Sequence, residues 1–167
     1  MQKPDVLVVG AGAAGLMAAG TAASRGLTVW LAEKNAAPGK KLGITGKGRC
    51  NLTNDCIIPL FLENVPTNPR FLYGALNRFS PADTKAFFEG LGVPLKTERG
   101  RRVFPQSDKA SDIVDALTNW VTQTGVYMIR GSAERLLTRA GHAAGVQMSD
   151  GRRIEAEQVI LCCGGAS

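Results

Sequence analysis

Histidine is almost absent from this sequence, and aromatic residues are scarce. The 167 residues include one histidine and four cysteines, and aromatic residues make up 6% of the chain. With one histidine, few Ser/His/Asp arrangements for nucleophilic catalysis are available, and no Cys/His cluster has metal-ligand spacing. The low aromatic content also argues against the base-stacking platform of a dedicated RNA-binding protein. We therefore expect no metal site and look elsewhere for the chemistry.

Long apolar segments and targeting signals are lacking as well. No stretch is long and apolar enough to span a membrane. The apolar run near the N-terminus is interrupted by glycines and is followed by no cleavage-site pattern, so it does not resemble a signal peptide. Four cysteines in this context indicate reduced thiols rather than a disulfide scaffold. These features predict a cytoplasmic protein.

Positively charged residues outnumber negatively charged ones. The formal net charge is +6, with 44% hydrophobic and 20% charged residues, as in a soluble globular domain. A basic balance favours anionic partners such as phosphates, a dinucleotide or RNA. The alternative is a generically basic surface without a specific partner.

The first thirty residues indicate a strand, a glycine-rich turn and a helix. The apolar run from Asp5 to Val9 predicts a buried parallel strand. Three glycines follow it at the spacing G-x-G-x-x-G, namely Gly10, Gly12 and Gly15. Gly10 permits a tight turn, Gly12 lets a pyrophosphate approach the backbone, and Gly15 allows the helix to lie close to the strand. The helix predicted for residues 14–25 then offers free N–H groups and a partial positive charge to phosphates.

An acidic residue completes this unit. A second strand over residues 28–32 ends in Glu33, which lies 18 residues after Gly15. A carboxylate there is placed to accept hydrogen bonds from a ribose diol. The combination predicts a dinucleotide-binding unit, and the alternative is a glycine-rich turn in an ordinary βα unit. Glu33 alone suits FAD or NAD equally.

A long polar loop is predicted next, over residues 35–54. It is rich in glycine and carries Lys40, Lys41, Lys47 and Arg49. Backbone N–H groups and cations together suit a diphosphate and an electron-rich ring system. The alternative is a flexible, solvated loop.

The rest of the chain alternates helices and strands. Ser80 is predicted to cap a helix that begins at Pro81. Asp150-Gly151 indicates a hairpin turn within a meander. The predicted elements are helices over 69–79, 80–91 and 107–124, a hairpin over 95–104, a strand over 126–129, meander strands over 133–139, 144–149 and 152–156, and a fully buried strand over 159–162. This order predicts an α/β fold with a parallel sheet.

Several strings resemble a known family. The string Gly39–Asn54 resembles the signature of the BaiN/RdsA-type NAD(P)/FAD-dependent oxidoreductases, also described as aminoacetone oxidase family FAD-binding enzymes. Residues 92–94, 100–105 and 163–167 extend the resemblance over essentially the whole chain. It implies a Rossmann-like, glutathione-reductase-type FAD-binding domain over residues 1–167, with a parallel sheet, helices and a three-stranded β-meander. It also implies FAD as cofactor and NAD(P)H as an electron donor.

The resemblance implies a set of cofactor-binding residues. Those expected at the diphosphate and ribose are Gly10, Gly12, Ala13, Ala14, Gly15, Glu33 and Lys34. Those expected along the diphosphate and flavin are Lys40, Lys41, Gly48, Arg49, Cys50 and Asn51. Backbone at Ala133 and Glu134 is expected beside the adenine, and Gly164 is expected to close over the FAD.

The resemblance further implies hydride transfer between a flavin and an activated C=C bond, in a bile-acid-like ring or an rRNA uridine. The second carbon then needs a proton from a positioned acid. Cys50 is the candidate for that acid, or for a thiol next to the flavin, and the alternative is a cysteine that only packs.

Family members continue into an inserted substrate domain and a C-terminal return to the FAD domain. Neither is present in these 167 residues, so we expect an N-terminal portion of such an enzyme. The alternative functions are a non-catalytic dinucleotide-binding module or an inactive truncated flavoprotein. The sequence does not define the oligomeric state.

Overall fold

The chain forms short strands and helices in alternation. A computed structural model describes residues 3–165. Its strands are β1 (Val6–Val9), β2 (Val29–Glu33), β3 (Thr53–Asn54), β4 (Leu95–Glu98), β5 (Arg102–Pro105), β6 (Tyr127–Arg130), β7 (Ala133–Arg139), β8 (His142–Met148), β9 (Arg153–Glu155) and β10 (Gln158–Leu161). Its α-helices are α1 (Ala13–Ala23), α2 (Lys40–Ile44), α3 (Ile58–Glu63), α4 (Tyr73–Arg78), α5 (Pro81–Gly90) and α6 (Ala110–Gln123). Short 3-10 turns cover Thr45–Gly48, Pro69–Leu72 and Arg99–Arg101.

The chain divides into two compact units. The first unit comprises the residues up to Leu42 and those from Leu117 onward, and the second comprises Gly43–Ala116. The first contains a parallel sheet with the strand order β10-β1-β2-β6 and the antiparallel meander β7-β8-β9. The second contains the antiparallel sheet β3-β5-β4. The predicted α/β fold with a parallel sheet and a three-stranded meander is therefore confirmed.

The core of the first unit lies between the parallel sheet and the meander. Leu7 and Val9 project from one face of β1, because alternate residues of a strand point to the same side. They pack against Val146 and Met148 of β8. Helix α1 packs over β1 and β2, with Leu16 fully buried. The sheet is thus covered on both faces, as expected for parallel strands with near-continuous apolar sequence.

The order of the strands indicates which end of the parallel sheet binds ligands. β1 pairs with β2 on one side and with β10 on the other, and all three strands are parallel. The chain after β1 turns into α1, whereas β10 is reached only after the meander. In open parallel sheets, ligands bind outside the carboxyl ends of the strands where the order reverses. Here that position is next to Gly10, at the ends of β1 and β10.

The second unit carries a short sheet and small helices. Ser80 caps α5 through a reciprocal pair: its Oγ accepts from the Asp83 N–H at 3.1 Å, and the Asp83 carboxylate accepts from the Ser80 N–H at 2.8 Å. This confirms the predicted start of the helix. The predicted hairpin over 95–104 is formed by β4 and β5. Phe88 of α5 and Val103 of β5 are buried.

Two of the predictions from the sequence are wrong. Residues 35–54 do not form one loop, because α2, the Thr45–Gly48 turn and β3 lie within them. The last strand is not fully buried: Leu161 is 62% exposed, since β10 lies at the edge of the parallel sheet. An apolar run predicts a strand but does not say whether the strand lies at the centre or the edge.

Candidate cofactor-binding site

The turn between β1 and α1 depends on two glycines for steric reasons. Gly10 has a φ of +99°, and a Cβ there would lie 2.5 Å from the carbonyl oxygen of Cys162. A Cβ on Gly15 would lie 1.7 Å from the carbonyl oxygen of Gly10. Both distances are far below van der Waals contact, so neither position accepts a side chain. The turn is consequently tight, and α1 starts directly against it.

Gly12 differs from its two neighbours in the motif. A Cβ there would meet no atom of the chain within 4 Å, and its φ of −80° is accessible to every L-residue. Gly12 is the N-cap of α1 and provides no side-chain cap, and the first helical residues, Ala13 and Ala14, are exposed. The first N–H groups of a helix have no partners within the helix. They therefore present an anion-binding end beside an unobstructed backbone.

Glu33 is fixed beside this turn. Its Oε2 accepts the Ala11 N–H at 2.7 Å, and its Oε1 accepts the backbone N–H and the side-chain amide of Asn35 at 2.7 and 2.6 Å. Burial acts to raise the pKa of the Glu33 carboxyl, but these donors, with a contribution from the charge of Lys34, outweigh it and lower the pKa below its usual value. Glu33 is therefore ionised at neutral pH.

The backbone of Ala11, in the glycine turn, forms hydrogen bonds with Glu33 and with the segment that follows β2. Its N–H donates to Glu33, and its carbonyl accepts the Gly39 N–H at 2.8 Å. Lys40 and Lys41 follow directly, and both are exposed at the start of α2. The sequence analysis did not single out Ala11, whose contribution is a backbone group that no side-chain pattern indicates.

The end of β10 runs over the same turn. The Cys162 N–H donates to the Val9 carbonyl at 2.8 Å, and this contact continues the pairing of β10 with β1. Gly164 follows with a φ of +81° and open space where a Cβ would lie. Burial, followed by the nearby Cys163, raises the pKa of the Cys162 thiol. The two cysteines are free, so no disulfide closes this segment.

Ala133 and Glu134 lie at an irregularity of the meander. Ala133 pairs with Met148 and Arg135 pairs with Gln147, so Glu134 falls between two registered pairs as a β-bulge. A bulge leaves the backbone of its extra residue out of the ladder. Glu134 is therefore available for backbone contacts.

The remaining predicted residues lie in the second unit. Cys50 is 1% exposed and has a φ of +58°, and its backbone N–H donates to the Thr45 carbonyl at 3.0 Å. Burial raises the pKa of its thiol, and a hydrogen bond with Thr45 only partly opposes this rise. Gly48 and Asn51, on either side, are exposed. Cys50 thus remains a protonated thiol at neutral pH.

Arg49 is held by its own unit. Its Nη1 donates to Glu98 at 2.9 Å and to Asp108 at 3.1 Å, and its guanidinium lies 4.1 Å from the centre of the Phe104 ring. Lys96 also contacts Asp108, at 2.6 Å. These contacts give Arg49 a structural role that sequence reasoning missed, because its partners are 49 and 59 residues away. Its role at a cofactor stays a prediction.

Among residues 3–165, no group of three or more His, Cys, Asp or Glu side chains is placed to hold a metal ion. No helix in the described part of the chain is both long and apolar enough to cross a membrane.

The parallel sheet, the glycine turn and the acid that ends β2 together define a Rossmann dinucleotide-binding domain. The chain belongs to the HI0933-like protein Rossmann domain family, whose sequence model matches residues 4–167. This confirms the predicted family over nearly the whole sequence.

Curated relatives agree with this assignment. The chain is 34% identical over 160 residues to a 3-dehydro-bile acid delta(4,6)-reductase of Clostridium scindens, covering 95% of this chain and 38% of the relative. It is 29% identical over 168 residues to a ribosomal RNA dihydrouridine synthase of Escherichia coli, covering 100% of this chain and 41% of the relative. The chain therefore spans about two fifths of the length of these relatives.

Solved structures share the fold. A flavocytochrome c3 fumarate reductase matches with a TM-score of 0.77 at 24% identity, over 98% of this chain and 34% of that chain. A 3-ketosteroid-delta4-(5alpha)-dehydrogenase from Rhodococcus jostii matches with a TM-score of 0.72 at 16% identity, over 95% and 45%. At these identities the likeness establishes a fold shared with those enzymes.

Proposed function

We propose that this chain binds FAD and contributes the cofactor domain of an FAD-dependent oxidoreductase. The observation that carries the proposal is the contrast among the three glycines. Packing of the chain requires glycine at positions 10 and 15, whereas nothing in the described chain requires it at Gly12. A ligand that approaches the backbone there supplies the missing reason, and the diphosphate of a dinucleotide fits both the open space and the N-terminus of α1.

The geometry of Glu33 supports the same cofactor. Its Oε1 accepts two hydrogen bonds and its Oε2 accepts one, which leaves acceptor capacity on Oε2 for a ribose hydroxyl. Because its pKa is lowered, the carboxylate accepts such a bond in its charged form, which strengthens it. The bond from Ala11 holds this oxygen beside the glycine turn.

We assign the other predicted residues to different parts of the cofactor. Lys34, Lys40 and Lys41 would offset the charge of the diphosphate, and the backbone of Ala133 and Glu134 would contact the adenine. Gly164 would lie over the cofactor, and the family resemblance extends the contacts to Gly48, Arg49 and Asn51. When bound, FAD would supply hydride transfer to or from an activated C=C bond.

Cys50 is proposed as the proton donor of this reaction. Its raised pKa keeps the proton on the sulfur at neutral pH, as an acid requires. Its burial supports the competing structural role equally, so exchange of Cys50 for alanine should be assayed for substrate-dependent flavin reoxidation in the intact enzyme. Unchanged reoxidation would leave Cys50 a packing residue.

The substrate is proposed by analogy. The two curated relatives are named for a bile-acid reduction and for dihydrouridine formation in ribosomal RNA. Both names imply reduction of a C=C bond, so we propose a steroid-type ring or an rRNA uridine as the substrate class, with NAD(P)H as the electron donor. Since the chain spans about two fifths of these relatives, the activity is a proposal for an intact enzyme of this family.

The test is an FAD titration of the wild-type chain, of Gly12→Ala and of Gly90→Ala. Gly90 also has no atom within 4 Å of an added Cβ, so the control places the same methyl group away from the turn. We expect Gly12→Ala to fold with a slightly lowered melting temperature, because alanine is a poorer N-cap than glycine, and to lose about tenfold in FAD affinity, a change of about 1.4 kcal/mol. Equal FAD affinity in all three proteins would contradict the proposal.

A further inference from the structure

The second unit contains a groove whose lining includes none of the residues proposed to bind FAD. α3, the Pro69–Leu72 turn, α4 and the start of α5 border an open groove with a volume of about 800 Å³. Small-molecule sites typically have roughly 300–1,000 Å³ and mainly apolar walls. The lining includes Ile57, Leu62 and Tyr73, and Ile57 and Tyr73 are 69% and 61% exposed. Most of the lining side chains are apolar, as is usual for sites that bind small molecules.

Prolines stand at the helix starts that border the groove. Pro59, Pro69 and Pro81 all line it, and each stands in the first turn of its helix. Proline has a restricted φ, which fixes the start of each helix. The backbone at these three helix starts is therefore restricted with or without a ligand.

The polar groups of the groove define the chemistry of its ligand. The Asn77 side chain donates to the Tyr73 carbonyl at 2.7 Å, and Ser80 is occupied by its cap with Asp83. Glu63 is the one charged residue of the lining, and within the described residues it has no ion pair. An exposed carboxylate beside an apolar wall attracts a hydrogen-bond donor and repels an anion.

We propose that this groove binds an apolar ring compound that carries a hydroxyl or amino donor, with the ring against Ile57, Leu62 and Tyr73 and the donor toward Glu63. We expect anionic compounds of the same size to bind more weakly. It lies entirely within Gly43–Ala116 and uses none of the residues proposed for FAD.

Pyrene derivatives test this proposal on the full chain, because their fluorescence reports binding and their substituents differ in charge. We expect 1-pyrenemethanol and 1-pyrenemethylamine to bind saturably at one site, and 1-pyrenesulfonate to bind more weakly. Ala82→Trp fills the groove and should weaken binding of the first two by about tenfold or more. Ala86→Trp, one turn further along α5 and outside the lining, should leave binding unchanged.

The charge is tested separately. We expect the wild-type chain to bind the amine roughly threefold more tightly than the alcohol, as for an exposed ion pair with Glu63. Glu63→Gln should remove this preference. Glu89→Gln, an exposed acid on α5 outside the lining, should keep it. If Ala82→Trp does not fold by circular dichroism, Ala82→Leu is compared with Ala86→Leu instead.

Three results would overturn the proposal. The first is equal probe binding by the two tryptophan variants, and the second is sulfonate binding as tight as that of the amine. The third is a wild-type chain that is dimeric where Ala82→Trp is monomeric, which would assign the groove to a second copy. FAD titration of the same samples reports on the cofactor proposal independently.

Discussion

Replacing Gly15 by alanine should destabilise the chain, although the same exchange in a helix normally stabilises. The added Cβ would lie 1.7 Å from the Gly10 carbonyl oxygen and 2.9 Å from its carbon. Both are backbone atoms, so no rotamer change relieves the contact. To reach even 3.0 Å, the helix and the turn must separate by about 1.3 Å, the difference from the 1.7 Å contact. Buried Leu16 and Ala19 hold α1 in place and oppose this movement.

The magnitude follows from two opposing contributions. Overpacking of a close-packed contact costs about 3 kcal/mol at the upper end of its usual range. Alanine in place of glycine within a helix gains about 1 kcal/mol. We therefore expect Gly15→Ala to lower the free energy of unfolding by about 2 kcal/mol.

Urea denaturation followed by circular dichroism measures this change. Gly90→Ala is the control, because its Cβ would meet no atom within 4 Å and its helix, α5, is exposed at that residue. The control should be neutral or stabilised by up to about 1 kcal/mol. If Gly15→Ala were as stable as Gly90→Ala, the close approach of α1 to the turn would be wrong.

Three further predictions concern buried and paired polar groups. Glu33→Gln should cost about 2 kcal/mol in urea denaturation at pH 7, because a charged acceptor with three donors is lost. Since the folded pKa of Glu33 lies below 4.5, its contribution is present above that pH and is lost as the pH falls through the folded value, so the variant should lose less stability on acidification than the wild type. Arg49→Lys should lower the midpoint of urea denaturation by losing the bond to one of its two carboxylates, whereas Arg99→Lys, at the exposed hairpin tip, should leave the midpoint unchanged. In a brief iodoacetamide reaction read by mass spectrometry, Cys163 should be alkylated well before Cys50, and the reverse order would contradict the burial of Cys50.

The local signals in the sequence predicted much of the fold. The glycine spacing predicted the turn because the positive φ of Gly10 and the close approach of Gly15 to Gly10 are local, and the Ser80 cap and the 95–104 hairpin are equally local. The edge position of β10 was not predictable from its apolar residues, because it depends on which strands pair across the whole chain. The order within residues 35–54 was also missed, since α2 has only five residues and includes a glycine.

The site was predictable to a similar extent. Glu33 was found from its spacing, but the donors that hold it, on Ala11 and Asn35, became visible only in the structure. The same holds for Arg49, whose two carboxylate partners are distant in sequence. Side chains that contact a ligand leave a pattern in the sequence, whereas those that position other side chains through long-range contacts do not.

We propose that the glycine turn and Glu33 hold the adenosine diphosphate half of FAD. The most direct test is the visible absorption spectrum of the purified chain, with the cofactor released by denaturation and identified by chromatography. We expect a flavin band after incubation with FAD and gel filtration, near one FAD per chain, and no such band after incubation with FMN, which lacks the adenosine monophosphate moiety of FAD. A folded chain that takes up no FAD, or that retains FMN as well as FAD, would contradict it.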